Sequence, residues 1–423
     1  MAVFDAHRPP ELSVVQDCVH CGFCLPTCPT YVLWGEEADS PRGRIVLVDR
    51  GLRSDDRLSP EMVSHFDRCL GCMACVTACP SGVRYDRLIE RVRPQVQRHY
   101  QRSGFERALR WLLFETLPHP KRLRALAPLL AAGRKLGAER LHERVSSLTK
   151  VAPRTPLRRA LHAALPERTA PRGEQRGRVA LLLGCVQRVF YPEVNRATIG
   201  ALAAEGFEVL APRAAGCCGA LELHAGEEQS ALGRARAIVD AFGSLGAIDH
   251  IVVNAAGCGA AMKEYGELLG TPQARAFSGR VRDICEVLGS VAPRAPRGPL
   301  SLRVAYHDAC HLAHAQRIRA QPRALLHAIP ELELLEVGVE PEVCCGSAGV
   351  YNLLQPRAAA ALGARKAAHL LATGADAIAA GNPGCAAQLD MHLRELGRPL
   401  PIYHPVELVW RSIAAGSRTP ASS

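Results

Sequence analysis

The sequence predicts an α+β multidomain chain: a small helical N-terminal domain, then two tandem α/β units with parallel sheets, related by an internal repeat. Three observations lead there. Eight of the 17 cysteines fall in two tight runs within the first hundred residues. A different cysteine pattern recurs twice, with matched spacing, in the second half of the chain. Each recurrence runs through the same alternation of short apolar stretches and longer Ala-rich ones, which is the rhythm of strands and crossover helices.

The first run is Cys18, Cys21, Cys24, Cys28-Pro29, and the second is Cys69, Cys72, Cys75, Cys79-Pro80. Both read C-x2-C-x2-C-x3-C-P, the spacing of bacterial ferredoxins. Three thiolates two residues apart on a tight loop can wrap three corners of a cubane [4Fe–4S] cluster. The fourth, held before proline, points away to the other cluster. The expected ligand sets are therefore Cys18, Cys21, Cys24 and Cys79 for one cluster, and Cys69, Cys72, Cys75 and Cys28 for the second. Gly22, Gly71 and Ala74 leave room for backbone amides near the sulfurs. Structural zinc seldom uses three evenly spaced cysteines with a fourth before proline.

Composition agrees with a globular, metal-binding chain. At 423 residues, 48% apolar and 22% charged, it is long enough for two or three domains and is not of disordered composition. It has no run of about 18 apolar residues that would cross a bilayer. Met1–Glu11 lacks the features of a secretory signal, so the expected compartment is the reducing cytoplasm, where cysteines serve as ligands rather than disulfides. The net charge of +11 is concentrated between Gln101 and Arg176, which holds 17 Lys/Arg against 6 Glu and no Asp, an excess of 11. That segment carries no cysteine. It reads as helix over Phe105–Leu117 and Arg122–Leu136, and is broken by Pro118, Pro120, Pro153, Pro156, Pro166 and Pro171. A basic face of this kind suits anionic lipid headgroups, an acidic partner subunit or plain solvation; without a recognisable motif or interleaved aromatics beyond Phe105, Trp111 and Phe114, nucleic acid is not expected.

The expected organisation is a ferredoxin-type domain at 1–100, a basic helical linker at 101–176, repeat units at 177–295 and 296–415, and a tail at 416–423. The first unit contains Cys185, the pair Cys217-Cys218-Gly219, and Cys258; the second contains Cys310, Cys344-Cys345-Gly346, and Cys385. From the second cysteine of the pair to the last is 40 positions in both, and from the first cysteine to the pair is 32 and 34. The expected strands are Val179–Leu183, Phe207–Leu210 and Ile251–Asn254 in one unit, and Arg303–Tyr306, Leu332–Val337 and Ala377–Ala380 in the other. The expected long helices are Ala231–Phe242 and Arg357–Ala372. Two thiols of each set then lie at the ends of parallel strands, where such sheets build their sites.

Each unit offers four converging thiols. Two functional readings stay open for them, a further iron–sulfur centre or a thiol-lined site for an electron acceptor; the third reading is packing of the interface between units. Cys285 lies outside the pattern, as a buried bystander. His307, His311 and His314 flank Cys310; the first reading for them is solvated or helix-packed side chains, and the second is a metal role.

With both signatures in view, the chain resembles the iron–sulfur subunits of bacterial glycolate oxidase over essentially its whole length. The resemblance is carried by Cys18-Val19-His20-Cys21-Gly22-Phe23-Cys24, Cys28-Pro29-Thr30-Tyr31, Pro41-Arg42-Gly43-Arg44, Asp67-Arg68-Cys69-Leu70 and Cys79-Pro80-Ser81-Gly82-Val83-Arg84-Tyr85. In the repeats it continues through Ala215-Gly216-Cys217-Cys218-Gly219-Ala220, Gly257-Cys258-Gly259-Ala260, Lys263-Glu264-Tyr265-Gly266 and Cys344-Cys345-Gly346-Ser347-Ala348-Gly349. It implies an oxidoreductase complex in which two flavoprotein (FAD) subunits oxidise glycolate to glyoxylate. This subunit would pass the electrons to quinone or another membrane acceptor, in peripheral contact with the cytoplasmic face of the inner membrane. No G-x-G-x-x-G follows a strand, so the organic chemistry is expected in partner chains and no catalytic residue in this one. The alternatives are an electron-transfer subunit of a lactate or anaerobic glycerol-3-phosphate dehydrogenase, or a thiol–disulfide reductase like heterodisulfide reductase. In the latter family the unit ends in C-x2-C and binds a noncubane cluster; here Ala261 and Gln388 occupy that position.

Overall fold

The structure, a computed structural model, describes residues 3–54, 57–135, 149–150 and 165–417. The expected breaks at Pro153 and Pro156, and the tail from 418, lie outside the described residues.

The N-terminal domain is helical. Its main helices are Pro29–Trp34, Pro41–Arg53, Pro60–Arg68, Ala74–Ala78 and Tyr85–His99. Three of them start on proline, whose missing N–H costs nothing in a first turn. The Ser40 and Ser59 hydroxyls accept hydrogen bonds from the amides of Gly43 at 3.0 Å and Met62 at 3.1 Å, capping the next two helices. Ile45, Val48, Val63, Phe66, Leu88, Ile89 and Val92 form a shared core on which the cysteine loops sit.

The basic segment begins as two helices, Gly104–Thr116 and Pro120–Lys135, each starting one or two residues before the expected position. Ser103 caps the first, and Pro120 opens the second. Their inner residues Leu113 and Leu123 are buried against Val350 and Leu353 of the second unit and Val189 and Phe190 of the first. The pair therefore bridges both units.

Sheet 1 contains β1 (Arg168–Thr169), β2 (Gly177–Leu181), β3 (Phe207–Leu210), β4 (His250–Val253) and β5 (Val281–Asp283) in the order β1-β3-β2-β4-β5. All neighbours are parallel except β1, which lies antiparallel on β3. Sheet 2 contains β6 (Leu302–His307), β7 (Leu332–Leu335), β8 (Ala377–Ala380) and β9 (Ile402–Tyr403) in the order β7-β6-β8-β9, parallel throughout. The four parallel strands match one to one, so the repeat in the sequence is a repeat in topology. Strands β1, β5 and β9 are only two or three residues long, too short for periodicity to reveal.

The two units are not separate globules. Val179 and Leu181 of β2, Val304 and Tyr306 of β6, and Ala377 and Ala379 of β8 belong to one continuous buried cluster. Helices Pro192–Ala204 and Pro405–Gly416 pack together across it. Among the described residues, no helix is long and apolar enough to cross a membrane.

Candidate metal centres and the thiol cavity

Cys18, Cys21, Cys24 and Cys79 line one small cavity and Cys28, Cys69, Cys72 and Cys75 line another, with Cys75 reaching both. Each cavity thus gathers three cysteines of one run and the last cysteine of the other. Local backbone explains how each loop turns. The second and fourth residues after the first cysteine of each run are left-handed: His20 (φ +55°) and Gly22 (+88°) in one, Gly71 (+61°) and Met73 (+64°) in the other. At Gly71 a side chain is excluded as well, since a Cβ would lie 2.7 Å from His224 Nε2.

The two cages differ in burial. Cys21 is exposed and Cys18, Cys24 and Cys79 are half-buried, whereas all four thiols of the inner cage are buried. Val19 (68% exposed) and Phe23 (65%) stand as apolar side chains beside the outer cage. Inside, burial and the neighbouring Cys310 thiol push Cys72 well up, and burial does the same to Cys75. At Cys69 burial is outweighed by Arg44 and Arg93, so its thiol is shifted down, toward the thiolate. The Gly71 amide donates to Cys69 Sγ at 3.4 Å, and the Val83 amide to Cys79 Sγ at 3.4 Å. Four sulfurs facing one cavity, with an amide donating to a sulfur in each and buried guanidinium groups at the inner one to offset anionic charge, are a donor set that fits a cluster in each cage.

The eight cysteines of the repeats meet in a single cavity of about 220 Å³ between the units. Within each unit the thiols are in contact in the same order: Cys185 with Cys217, Cys217 with Cys218, Cys218 with Cys258; and Cys310 with Cys344, Cys344 with Cys345, Cys345 with Cys385. Cys185 and Cys217 Sγ are 3.3 Å apart. The glycine after each pair has a steric reason. Gly219 (φ +76°) and Gly346 (φ +82°) are left-handed, and a Cβ there would approach the carbonyl oxygens of Ala231 at 3.2 Å and Ala359 at 2.6 Å, on the long helix of each unit. The units are tied at the cavity floor, where the Gly257 amide donates to Asn382 Oδ1 at 3.3 Å while Asn382 Nδ2 faces Cys385 Sγ at 3.6 Å. Cys285 is buried in the shared core, away from the cavity.

The inner cage abuts this cavity. Cys72 packs in one buried cluster with Cys310 and Cys344. His224 joins the two as well, a residue the sequence reading passed over because nothing but its place after Cys218-Gly219 marks it. Its Nε2 pairs with the Leu70 carbonyl at 2.7 Å, and its ring centroid is 6.1 Å from that of His311. Burial and then Arg93 hold His224 well below the ordinary histidine range. His311 Nδ1 lies 3.5 Å from Cys310 Sγ. His314 is packed, its Nδ1 2.7 Å from Thr77 Oγ1 of the N-terminal domain. His307 is buried, and its burial, with Lys366 nearby, pushes its pKa down to about 3. On the opposite side the cavity is walled by leucines of the basic helices: Leu112, Leu113, Leu117, Leu123, Leu126 and Leu130.

Comparison with known proteins now identifies the parts. A 4Fe-4S dicluster domain matches residues 14–83, a cysteine-rich domain matches 179–263 and again 304–390, and the linker region of the glycolate oxidase iron–sulfur subunit matches 105–163. The glycolate oxidase iron–sulfur subunit of Escherichia coli is 34% identical, over 95% of both chains. The chain belongs to the glycolate oxidase iron–sulfur subunit family. The probable glycolate oxidase iron–sulfur subunit of Bacillus subtilis is also 34% identical, over 90% of this chain and 89% of its own. Lactate utilization protein A of Shouchella clausii is 25% identical over 55% of this chain and 98% of its own. A glycolate oxidase iron–sulfur subunit of this kind is an electron-transfer component of an oxidoreductase complex, and it carries two [4Fe–4S] clusters in its N-terminal domain.

Proposed function

We propose that this subunit relays electrons from FAD-bearing partner subunits, which oxidise glycolate to glyoxylate, to a membrane quinone. Cys18, Cys21, Cys24 and Cys79 would hold the outer cluster, Cys28, Cys69, Cys72 and Cys75 the inner one, and the thiols of the repeats a further iron–sulfur centre. Bound clusters exchange single electrons, which matches a two-electron flavin to an acceptor that takes electrons singly. The observation that carries the reading is the packing of Cys72 in one buried cluster with Cys310 and Cys344, which puts the inner cage against the thiol cavity.

The chain's own residues supply an entrance and an exit. Cys21, with Val19 and Phe23 exposed beside it, opens the outer cage to a docked flavoprotein. Arg44 and Arg93 offset anionic charge at the inner cage. The leucine wall gives the thiol cavity an apolar approach suited to a lipophilic quinone head, and the basic helices that build it favour the anionic cytoplasmic face of the inner membrane. The relative named for lactate utilization favours one second reading, a lactate-linked complex.

The test is the assembled complex, purified anaerobically. Glycolate should reduce its flavin, and a water-soluble quinone should reoxidise it. Cys345→Ser should leave flavin reduction intact and remove most of the quinone reduction. Near-normal quinone reduction with unchanged iron would confine Cys345 to packing, and reduction by lactate but not glycolate would move the complex to the second reading. In Cys28→Ser, the spectroscopic signal of the inner cluster should be lost while the outer one persists; the opposite loss would refute the crossed ligand sets.

A further inference from the structure

Strand β6 ends on His307, three residues before Cys310. Three residues before Cys185 the first unit has Leu182, packed in its apolar core. An imidazole therefore stands where the repeat places a hydrocarbon, and it is 1% exposed. Burying a polar group without partners costs about 1–3 kcal/mol. Yet among the described residues neither His307 Nδ1 nor Nε2 has a hydrogen-bond partner.

The ring does have neighbours that bind metals. One of its nitrogens and the Sγ atoms of Cys345 and Cys385 all lie within 4.8 Å of one another, and all three residues are buried. The other polar side chains nearby are already engaged. Gln388 accepts from Asn352 Nδ2 at 3.1 Å and donates to the Ala359 carbonyl at 3.0 Å, and Lys366 Nζ donates to the Pro341 carbonyl at 2.6 Å. Gln388 is thus held in hydrogen bonds at the position where a C-x2-C ending would place another thiol.

We propose that His307 is a nitrogen ligand, together with Cys345 and Cys385, of a thiophilic first-row metal centre in the second unit. The second unit then has a mixed nitrogen–sulfur donor set, whereas the first, with Leu182, has thiols alone. Imidazole and thiolate together suit the iron of a cluster or zinc. Three such donors leave one position of a four-coordinate metal for Cys344 or an outside ligand. The orphaned imidazole is explained at the same time, because a metal bond satisfies one nitrogen. The inference rests only on the reading that the thiols of the second unit hold metal, and not on the identity of the electron donor or acceptor.

The experiment uses the full chain, purified anaerobically, with iron, zinc and acid-labile sulfide counted per chain. The N-terminal clusters account for about eight irons. The wild type should hold iron or zinc beyond these. In His307→Leu, which copies the first unit, that increment should fall severalfold while the eight irons remain, and His307→Cys should restore it. If the extra metal is iron, protein labelled with ¹⁵N-histidine should show a nitrogen coupling in pulsed EPR that His307→Leu lacks. If it is zinc, X-ray absorption at the zinc edge should show imidazole scattering that the variant lacks. A wild type with no metal beyond the eight irons, or a His307→Leu protein with the full increment and an unchanged spectrum, overturns the proposal. Glycolate-to-quinone electron flow is read separately, so its failure with the metal in place would count against the relay and not against the ligand.

Discussion

A few single residues set the chemistry of the thiol cavity. Gly346 combines a left-handed backbone with a carbonyl 2.6 Å from where a Cβ would sit. Gly346→Ala should therefore cost more than the about 1–2 kcal/mol of the backbone conformation alone. Chemical denaturation should show a loss above that figure; a loss below about 1 kcal/mol would mean that the helix moves aside. Lys366 is fully buried, which lowers its pKa, while Asp308 and then the thiols of Cys345, Cys344 and Cys385 favour its charge. Removing that cation makes adding an electron nearby less favourable. Lys366→Met should lower the midpoint potential of a centre in the second unit by on the order of 50–100 mV, the scale of one charge about 10 Å away at an effective dielectric near 20. Redox titration of the two proteins checks the sign directly.

The helix pair 104–135 is the element whose two sides have different tasks. Leucines on its inner side close the cavity, while Trp111 (67% exposed) and Leu129 (66%) face outward with Arg107, Lys121 and Arg122. Apolar residues interleaved with exposed cations form the surface that settles into an anionic lipid interface. Replacing Lys121 and Arg122 by Gln should weaken binding to phosphatidylserine vesicles about fivefold per charge at low salt, since each cation contributes about 1 kcal/mol. Trp111→Ala should weaken it further in a way that salt does not reverse. Vesicle co-sedimentation across ionic strength measures both, and binding unchanged by all three substitutions would leave this face merely solvated. The helices themselves were legible in the sequence from their apolar spacing and proline boundaries. Their role as one wall of the cavity was not, because it depends on contacts with both units.

At the scale of the molecule, the N-terminal domain is docked onto both units through polar contacts. Tyr351 Oη donates to the Arg68 carbonyl at 3.1 Å, Arg87 pairs with Glu267 at 2.7 Å, and Thr77 meets His314. Glu90 and Glu264 face one another across this junction. Burial, then the nearby Asp86, pushes Glu90 up to about 7, and burial and Glu90 raise Glu264. A carboxyl whose pKa is raised on folding contributes stability that is full below its ordinary value near 4.5 and is lost as pH rises through about 7. The docked form should therefore loosen between about pH 5 and 8, and Glu90→Gln should flatten that dependence. Thermal unfolding across this range tests it; a variant as pH-sensitive as the wild type would place the titration elsewhere.

The sequence by itself determined the cysteine chemistry of the N-terminal domain and the existence of the repeat. Both are local: a C-x2-C-x2-C-x3-C-P run constrains one loop, and equal spacings constrain one unit at a time. It also determined the main parallel strands, because each is an apolar run long enough to show. The tertiary structure alone decided that two sets of four thiols share one cavity, that Cys72 abuts Cys310 and Cys344, and that His224 bridges them. It also decided which of three histidines near Cys310 lacks a partner. His311 and His314 find theirs in Cys310 and Thr77, while among the described residues neither ring nitrogen of His307 has a hydrogen-bond partner and the thiols of Cys345 and Cys385 lie close by. Spacing along a chain cannot report such facts, because they arise where strands and helices distant in sequence close over the same space.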